Sequence, residues 1–188
     1  MNVMTINLDY LLERKQATED QIVTYLVAHF YEPMRHLALT ILQEPLAADD
    51  VAQETLIKAA NRIHQYEPHT NLKAWVYRIG LNEARGHLRK QKARQRMQRW
   101  FKRETEVDTA VPSPETQTIQ NERDQTLWQA VNQLPQKHRL PVLLRYSHNL
   151  STQEIAEVLQ LPPGTVRSRL HYAHRQLHHL LTQDTVTL

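Results

Sequence analysis

The chain has 188 residues, 40% of them hydrophobic and 23% charged, with a formal net charge of +3, so it can bury a core and is not disordered. Its three glycines are too far apart for a phosphate-binding loop, and the lack of cysteine excludes disulfides, thiolate metal sites and thiol nucleophiles. No apolar run approaches the roughly 18 residues of a membrane span and no signal peptide is visible, so we expect a cytoplasmic protein without membrane insertion.

The first predicted helix begins at a capping box formed by Thr18 and Gln21. Apolar residues then recur at helical spacing from Ile22 onwards. We expect Pro33 to interrupt or restart this helix, and Pro45 to end the helical segment that follows.

A second helix is predicted to carry Asp49 and Asp50 in its first turn, where carboxylates favour the positive end of the helix dipole. It is expected to run to about Tyr66, and a short loop, residues 67–71, follows. The expected core residues of this helix are Val51, Leu56, Ala59 and Ile63.

A long third helix is predicted from Leu72 onwards, and it continues into a basic block. Residues 85–103 hold nine basic and no acidic side chains. Six of the nine recur at intervals of four and three, which places them on one side of a helix. These six are Arg85, Arg89, Lys92, Arg96, Arg99 and Arg103. The block predicts a polyanion-binding surface, although a solvated helix face gives the same pattern.

The segment 104–122 is acidic, contains two prolines and has few large apolar residues, which is typical of a flexible linker. Helical patterns resume at Arg123. The sequence therefore predicts an all-α protein with two helical domains, residues 1–103 and 123–188, joined by this linker.

The C-terminal domain carries the pattern of a helix-turn-helix. Ser151 and Glu154 form a second capping box, residues 160–162 make a tight turn, and Pro163 suits the start of the next helix. That helix has an apolar side for the core and a polar side that fits the major groove of DNA. The apolar residues are Val166, Leu170, Ala173, Leu177 and Leu181.

Three sequence motifs resemble those of one protein family. LSTQEIAEVLQLPPGTVRSRLHYAHRQL (150–177) is similar to the last conserved region of bacterial RNA polymerase sigma factors, and PPGTVRSRL resembles the signature of the extracytoplasmic-function group. ADDVAQETLIKA (48–59) resembles the family's polymerase-binding helix, and NLKAWVYRIGLNEARGHLRK (71–90) its −10 recognition segment. The motifs occur in the family's order, and the resemblance covers about residues 10–181.

The resemblance implies that this is a sigma factor of that group, which binds core RNA polymerase and directs promoter-specific initiation. The N-terminal domain would correspond to sigma region 2 and the C-terminal domain to region 4. An anti-sigma factor is implied as a further partner, and neither a catalytic activity nor a cofactor nor a metal is implied. The polymerase-binding residues would be Asp49, Asp50, Gln53, Glu54 and Ile57; a solvated acidic helix is the alternative for this surface.

For the −10 element, the resemblance places a base-reading amide at Asn82, and the loop before the helix would capture a flipped base. Trp75 and Tyr77 could stack on single-stranded bases, although the spacing of Trp75 favours core packing. The full −10 set is Asn71, Arg78, Asn82, Arg85 and Arg89.

For the −35 element, the resemblance points to seven residues of the last helix. They are Thr165, Arg167, Ser168, Arg169, His171, Tyr172 and Arg175. The family more often has a basic residue where Tyr172 and His174 stand, so we expect weaker phosphate anchoring and a changed base preference.

Two other classes of function remain open from the sequence. One is a helix-turn-helix regulator that never binds polymerase, which the DDVAQE helix disfavours. The other is a metal-dependent hydrolase, suggested by eleven histidines, among which His174 and His178 have i, i+4 spacing. The chain contains no His-Glu-x-x-His motif, so we expect no metal site.

Overall fold

The computed structural model describes residues 16–68, 70–102 and 122–184, and within them the regular structure is entirely helical. The chain divides into two compact units, with the division between Pro114 and Glu115. The predicted all-α fold with two helical domains is confirmed, while the predicted linker lies almost wholly outside the described residues.

The first unit contains α1 (Glu19–Leu42), α2 (Pro45–Asn61), a 3-10 turn (Ile63–Gln65) and α3 (Leu72–Lys102). The second contains α4 (Glu122–Gln133), α5 (Gln136–Tyr146), α6 (Thr152–Leu159) and α7 (Pro163–Asp184).

Helix α1 is continuous through Pro33, so the predicted interruption is wrong. A proline inside a helix removes one backbone hydrogen bond and costs about 3 kcal/mol or more. Buried side chains lie on both sides of it, at Phe30 and Met34, and packing of this apolar side against the other helices offsets that cost. The predicted capping box of Thr18 and Gln21 is confirmed.

Helix α2 begins at Pro45, which occupies the first helical position, where its missing N–H costs nothing. The prediction that Asp49 and Asp50 lie in the first turn is therefore wrong, because both lie in the second. The helix ends at Asn61 rather than near Tyr66, and Ile63 lies half-buried in the 3-10 turn instead of in the core.

The three helices of the first unit pack against one another, and a glycine sets their closest approach. A Cβ atom built on Gly80 of α3 would lie 2.6 Å from the Met34 sulfur and 3.3 Å from a methyl carbon of Thr55. The first distance is shorter than real Cβ contacts, so an added Cβ atom would have to displace the buried Met34 side chain, which glycine avoids. The Thr55 hydroxyl is buried and donates to the Val51 carbonyl, 2.6 Å away.

In the second unit, α7 packs against α4, α5 and α6. The side of α7 that faces inward is apolar, as its spacing predicts. Val166, Leu170, Ala173 and Leu177 are all buried. Helix α6 begins with the predicted capping box of Ser151 and Glu154 and ends at Leu159, and the next residue, Gln160, has a φ of 54° that turns the chain toward α7. The helix-turn-helix prediction is confirmed.

Candidate nucleic-acid interface

One side of α3 carries the polar residues of the predicted −10 segment. Arg78, Asn82, Arg85 and Arg89 follow one another at intervals of four, three and four, so they form a single stripe along the helix. Asn82 and Arg89 are exposed, while Arg78 and Arg85 are half-buried. Elsewhere on the helix, side chains such as Val76 and Ala84 are fully buried and fix its rotation. The structure thus presents these four residues together.

The stripe concentrates positive charge. Burial lowers the pKa of Arg85, and the neighbouring Arg89 lowers this pKa further by repulsion. A guanidinium still remains charged at neutral pH, so the two cations stay side by side. An anion such as a phosphate would relieve this repulsion and compensate for the burial. Asn82, between Arg78 and Arg85, makes no side-chain hydrogen bond within the described chain, so its amide is available as donor and acceptor.

Asn71 lies at the beginning of α3, and its side chain has a structural role. Its Oδ1 accepts a hydrogen bond from the backbone N–H of Ala74, 2.9 Å away, which caps the helix. The adjoining loop is held by its own contacts: the Tyr66 hydroxyl donates to the Thr70 carbonyl at 2.8 Å, and the Thr70 hydroxyl donates to the Glu67 carbonyl at 2.7 Å. The capping bond fixes the position of the Asn71 side chain at the start of α3.

The two aromatic residues proposed for base stacking differ in exposure. Tyr77 is only 3% exposed, so the prediction that it stacks on single-stranded bases is wrong. Trp75 is half-buried, and its ring packs against Tyr66 with 5.6 Å between centroids and an angle of 57°. Core packing of Trp75 is therefore confirmed for the part of the ring that faces Tyr66.

A second candidate surface follows the outer side of α2. Asp50, Gln53 and Glu54 are exposed there, and Ile57 is 60% exposed. Asp49 differs from them, because its carboxylate accepts a hydrogen bond from Arg35 of α1 at 2.6 Å. This ion pair raises the pKa of Arg35 and turns Asp49 toward its own unit.

Sequence reasoning missed one member of the α2 surface. Leu46 is 77% exposed and lies one turn before Asp50, so the outer side of α2 has an apolar residue at each end. The helical spacing of Leu46, Asp50 and Ile57 was the signal that could have identified it.

The polar side of α7 forms the third candidate surface. Arg167, Ser168, His171 and Arg175 are exposed, whereas Thr165 and Arg169 are half-buried. The Ser168 hydroxyl donates to the Thr165 carbonyl at 2.9 Å, which leaves its oxygen able to accept a hydrogen bond. Together these residues offer positive charge and hydrogen-bonding groups on the side of the helix away from the core.

Tyr172 is half exposed on the same helix, and its ring is held by a contact that the sequence analysis did not predict. His138 of α5 is 8% exposed and stacks on the Tyr172 ring, with 4.3 Å between centroids. Nearby, the Tyr146 hydroxyl lies 2.7 Å from His174 Nε2. Both contacts join α5 to α7, and nothing in the spacing of these residues indicates them. Among the described residues, no group of three or more potential metal ligands comes together.

Comparison with known proteins identifies the family. A model described as sigma-70 region 2 matches residues 26–104, and one described as sigma-70, region 4 matches residues 124–177. The RNA polymerase sigma-H factor of Pseudomonas aeruginosa is 31% identical over 173 residues, which cover 89% of this chain and 90% of that protein. The chain belongs to the extracytoplasmic-function group of RNA polymerase sigma factors.

Other relatives agree with this sigma-factor assignment. The ECF sigma factor SigW of Bacillus subtilis is 30% identical over 136 residues, covering 69% of this chain and 73% of that protein. The crystal structure of the sigma factor RpoE of Bartonella quintana, in complex with the anti-sigma factor NepR, shares the fold, with a TM-score of 0.64 and 23% identity. It covers 85% of this chain and 96% of that one.

A sigma factor directs RNA polymerase to promoters. The prediction of a sigma factor is therefore confirmed, and the alternative of a helix-turn-helix regulator that acts without polymerase is not supported. The family consists of regulatory proteins rather than catalysts. No helix in the described parts of the chain is both long and apolar enough to cross a membrane.

Proposed function

We propose that this sigma factor uses three separate surfaces: the α3 stripe for the −10 element, the polar side of α7 for the −35 element, and the outer side of α2 for polymerase. The observation that carries the proposal is the exposed amide of Asn82 between the cations of Arg78 and Arg85. An amide that can donate and accept suits the edge of a base, and flanking guanidinium groups suit the phosphates on either side.

The loop before α3, residues 67–71, is proposed to receive a base flipped from the melted strand. Extruding a base costs a few kcal/mol, which contacts in a preformed pocket must recover. The hydrogen bonds from Tyr66 to Thr70 and from Thr70 to Glu67 support this role, because they hold the described residues Glu67 and Thr70 in position. Since Asn71 caps α3, its proposed contribution is to hold the loop against the helix, and its contact with the −10 element stays a prediction.

On α7, we assign base contacts to Arg167, Ser168 and His171, and phosphate contacts to Arg175. Their exposure on one side of a helix that follows a tight turn supports this assignment, because such a helix fits the roughly 12 Å major groove. Tyr172 is proposed to contact the DNA backbone from its stacked position on His138. Thr165 and Arg169 are proposed to support these contacts from half-buried positions.

For polymerase, the proposed contact consists of Asp50, Gln53, Glu54 and Ile57, with Leu46 added by the structure. An apolar residue at each end of an acidic stretch supports a protein contact, in which the apolar side chains supply burial and the acidic ones select a basic partner. Because Asp49 pairs with Arg35, we propose that it supports this surface.

Three further features of the function are proposed with it. An anti-sigma factor is a suitable partner, because the Bartonella quintana relative was crystallised with one. The protein acts in the cytoplasm, where polymerase and DNA are found. It carries out no catalytic step of its own, because promoter recognition and melting need only binding energy.

The test is transcription in vitro with purified core polymerase over a pool of random promoters. We expect specific start sites, and we expect Asn82→Ala to lose preference for one base of the −10 element by about tenfold, within the 1–3 kcal/mol typical of a base contact. Gln129→Ala, which removes an exposed amide from α4, serves as the control and should leave selection unchanged. An equal loss at every promoter would show that Asn82 is structural.

A further inference from the structure

The second half of α7 contains a dense group of histidines. Four of the nine residues from 171 to 179 are histidine, and all four are exposed. They are His171, His174, His178 and His179. Neither His174 nor His178 forms an ion pair with an acidic side chain among the residues that the structure describes. Short segments rich in histidine are typical of metal binding, because a neutral imidazole nitrogen is a good metal ligand.

Two of these histidines have the spacing of a chelating pair. His174 and His178 are four residues apart, so their imidazole groups leave the same side of α7, with Cβ atoms about 5–6 Å apart. Two histidines of one helix hold zinc at this spacing. Both side chains are exposed, so they can turn toward a common ion without disturbing the core. His179 lies about 100° around the helix from His178 and does not share this side.

A third ligand comes from another helix. Tyr146 is the last residue of α5 and is 59% exposed. Its hydroxyl lies 2.7 Å from His174 Nε2, and the two ring centroids are 5.7 Å apart. Two ligand atoms of a tetrahedral zinc ion, each about 2.0–2.1 Å from the metal, are about 3.3 Å apart. The nitrogen and the oxygen would therefore need to separate by only about 0.6 Å, which a small rotation of two exposed side chains supplies.

We propose that His174, His178 and Tyr146 bind a divalent transition-metal ion of the Zn²⁺ type, which joins the end of α5 to α7. Imidazole ligands favour such an ion over magnesium or calcium, and water completes its coordination. Metal ligands bind in the deprotonated form, so the hydroxyl proton of Tyr146 passes to solvent. The site does not match the His-Glu-x-x-His motif, whose absence led us to expect no metal, because one of its ligands comes from a different helix. It holds α7 on α5 and has no catalytic role.

The experiment titrates the full-length protein with Zn²⁺ by calorimetry, in a buffer free of chelators and without DNA or polymerase. His178→Gln removes one nitrogen ligand and leaves the contact of Tyr146 with His174 in place. Tyr146→Phe removes the oxygen ligand and keeps the ring. The matched control is His179→Gln, which removes an exposed histidine next to His178 on another side of the helix.

We expect His178→Gln to weaken zinc binding about 100-fold, because the chelating pair is lost. Tyr146→Phe should weaken it about tenfold, since water can replace the oxygen ligand. The control should bind zinc as the unaltered protein does. Equal losses in all three variants would show adventitious binding along the histidine-rich segment and would overturn the proposal. Absence of zinc binding by the unaltered protein would overturn it as well.

Hydrogen exchange tests whether the ion joins the two helices. At a zinc concentration ten times the dissociation constant, amides in the last turn of α5 should exchange about tenfold more slowly in the unaltered protein. Tyr146→Phe, at ten times its own dissociation constant, should show no such protection. Equal slowing in both proteins would mean that α7 alone holds the ion, which contradicts the proposal. Neither measurement involves promoter or polymerase, so both are independent of the proposed function.

Discussion

The two helices proposed to meet DNA are supported in different ways. From Leu72 to Ala84, α3 is surrounded by α1 and α2, so that most of its side chains are buried and its polar stripe is narrow. Helix α7 buries only one side, at positions three and four residues apart, and its other described side chains are half-buried or exposed. A helix enclosed in this way is fixed by shape, whereas a helix packed on one side depends on its caps and on a few specific contacts.

The two units also differ in the kind of side-chain contact that joins their helices. In the first unit, ion pairs join α1 to α2 through Arg35 and Asp49, and α2 to α3 through Lys58 and Glu83. In the second unit, the ring stack of His138 and Tyr172 joins α5 to α7. Because α3 is enclosed and α7 is packed on one side, we expect the stability of the first unit to depend most on side-chain volume. We expect the stability of the second unit to depend most on helix caps and ring contacts.

The largest effect on stability is expected when a glycine of each unit is replaced by alanine and the two variants are compared. At Gly80 the new Cβ would meet the Met34 sulfur, whereas at Gly164 it meets nothing within 4 Å. Gly80→Ala should destabilise the first unit by about 1–3 kcal/mol, the usual cost of overpacking, whereas Gly164→Ala, at the second position of α7, should change stability less. Hydrogen exchange of the amides in α3 and α7 measures each unit separately. Equal protection in the two variants would contradict the close contact at Gly80.

The second-largest effect on stability is expected when the capping hydroxyl of either capping box is removed. Ser151→Ala should destabilise α6 by about 1 kcal/mol, because the backbone N–H of Glu154 loses its acceptor. Thr18→Ala removes the equivalent contact in the first unit, where α1 has 24 residues rather than 8. We expect the loss at Ser151 to spread through the whole of α6, and the loss at Thr18 to stay in the first turn of α1. Hydrogen exchange residue by residue distinguishes the two patterns, and fraying confined to one turn of α6 would contradict this expectation.

A smaller effect is expected at the ring stack. His138→Ala removes the ring that holds Tyr172, and a stack of this kind contributes about 0.5–1.5 kcal/mol. We expect the affinity of holoenzyme for the −35 element to fall between about two- and tenfold. His138→Phe keeps an aromatic ring in place and should restore most of that affinity. If the phenylalanine variant behaves like the alanine variant, the stack does not position Tyr172.

The smallest effect is expected at the ion pair of Lys58 and Glu83, whose side chains are 39% and 21% exposed. A double-mutant cycle with Lys58→Gln and Glu83→Gln should give a coupling energy of about 0.2–1 kcal/mol, as for other partly exposed pairs. The coupling should decrease as salt is added, because solvent ions reach the pair. Urea unfolding of the four proteins provides the measurement. A coupling above this range would show that polar links, and not shape, hold α3.

Much of the candidate site followed from local patterns. The basic stripe that begins with Arg85 and Arg89 followed from helical periodicity, and the polar side of α7 followed from the apolar spacing of its opposite side, whereas the base-reading role of Asn82 came only from the family resemblance. The roles of Asp49 and Tyr77 did not follow in this way. Asp49 pairs with an arginine fourteen residues earlier, and Tyr77 is enclosed by neighbouring helices.

The sequence by itself determined that the protein is helical, that its charge is concentrated in one block, that a helix-turn-helix follows Ser151, and that its motifs are those of a sigma factor. These features depend on residues a few positions apart, which interact within a single turn or a single helix. Only the tertiary structure decided that α1 runs through Pro33, that Gly80 allows three helices to meet, and that His138 supports Tyr172. Those outcomes depend on packing between segments far apart in the chain, and the free energy of such packing exceeds the local preferences that the sequence displays.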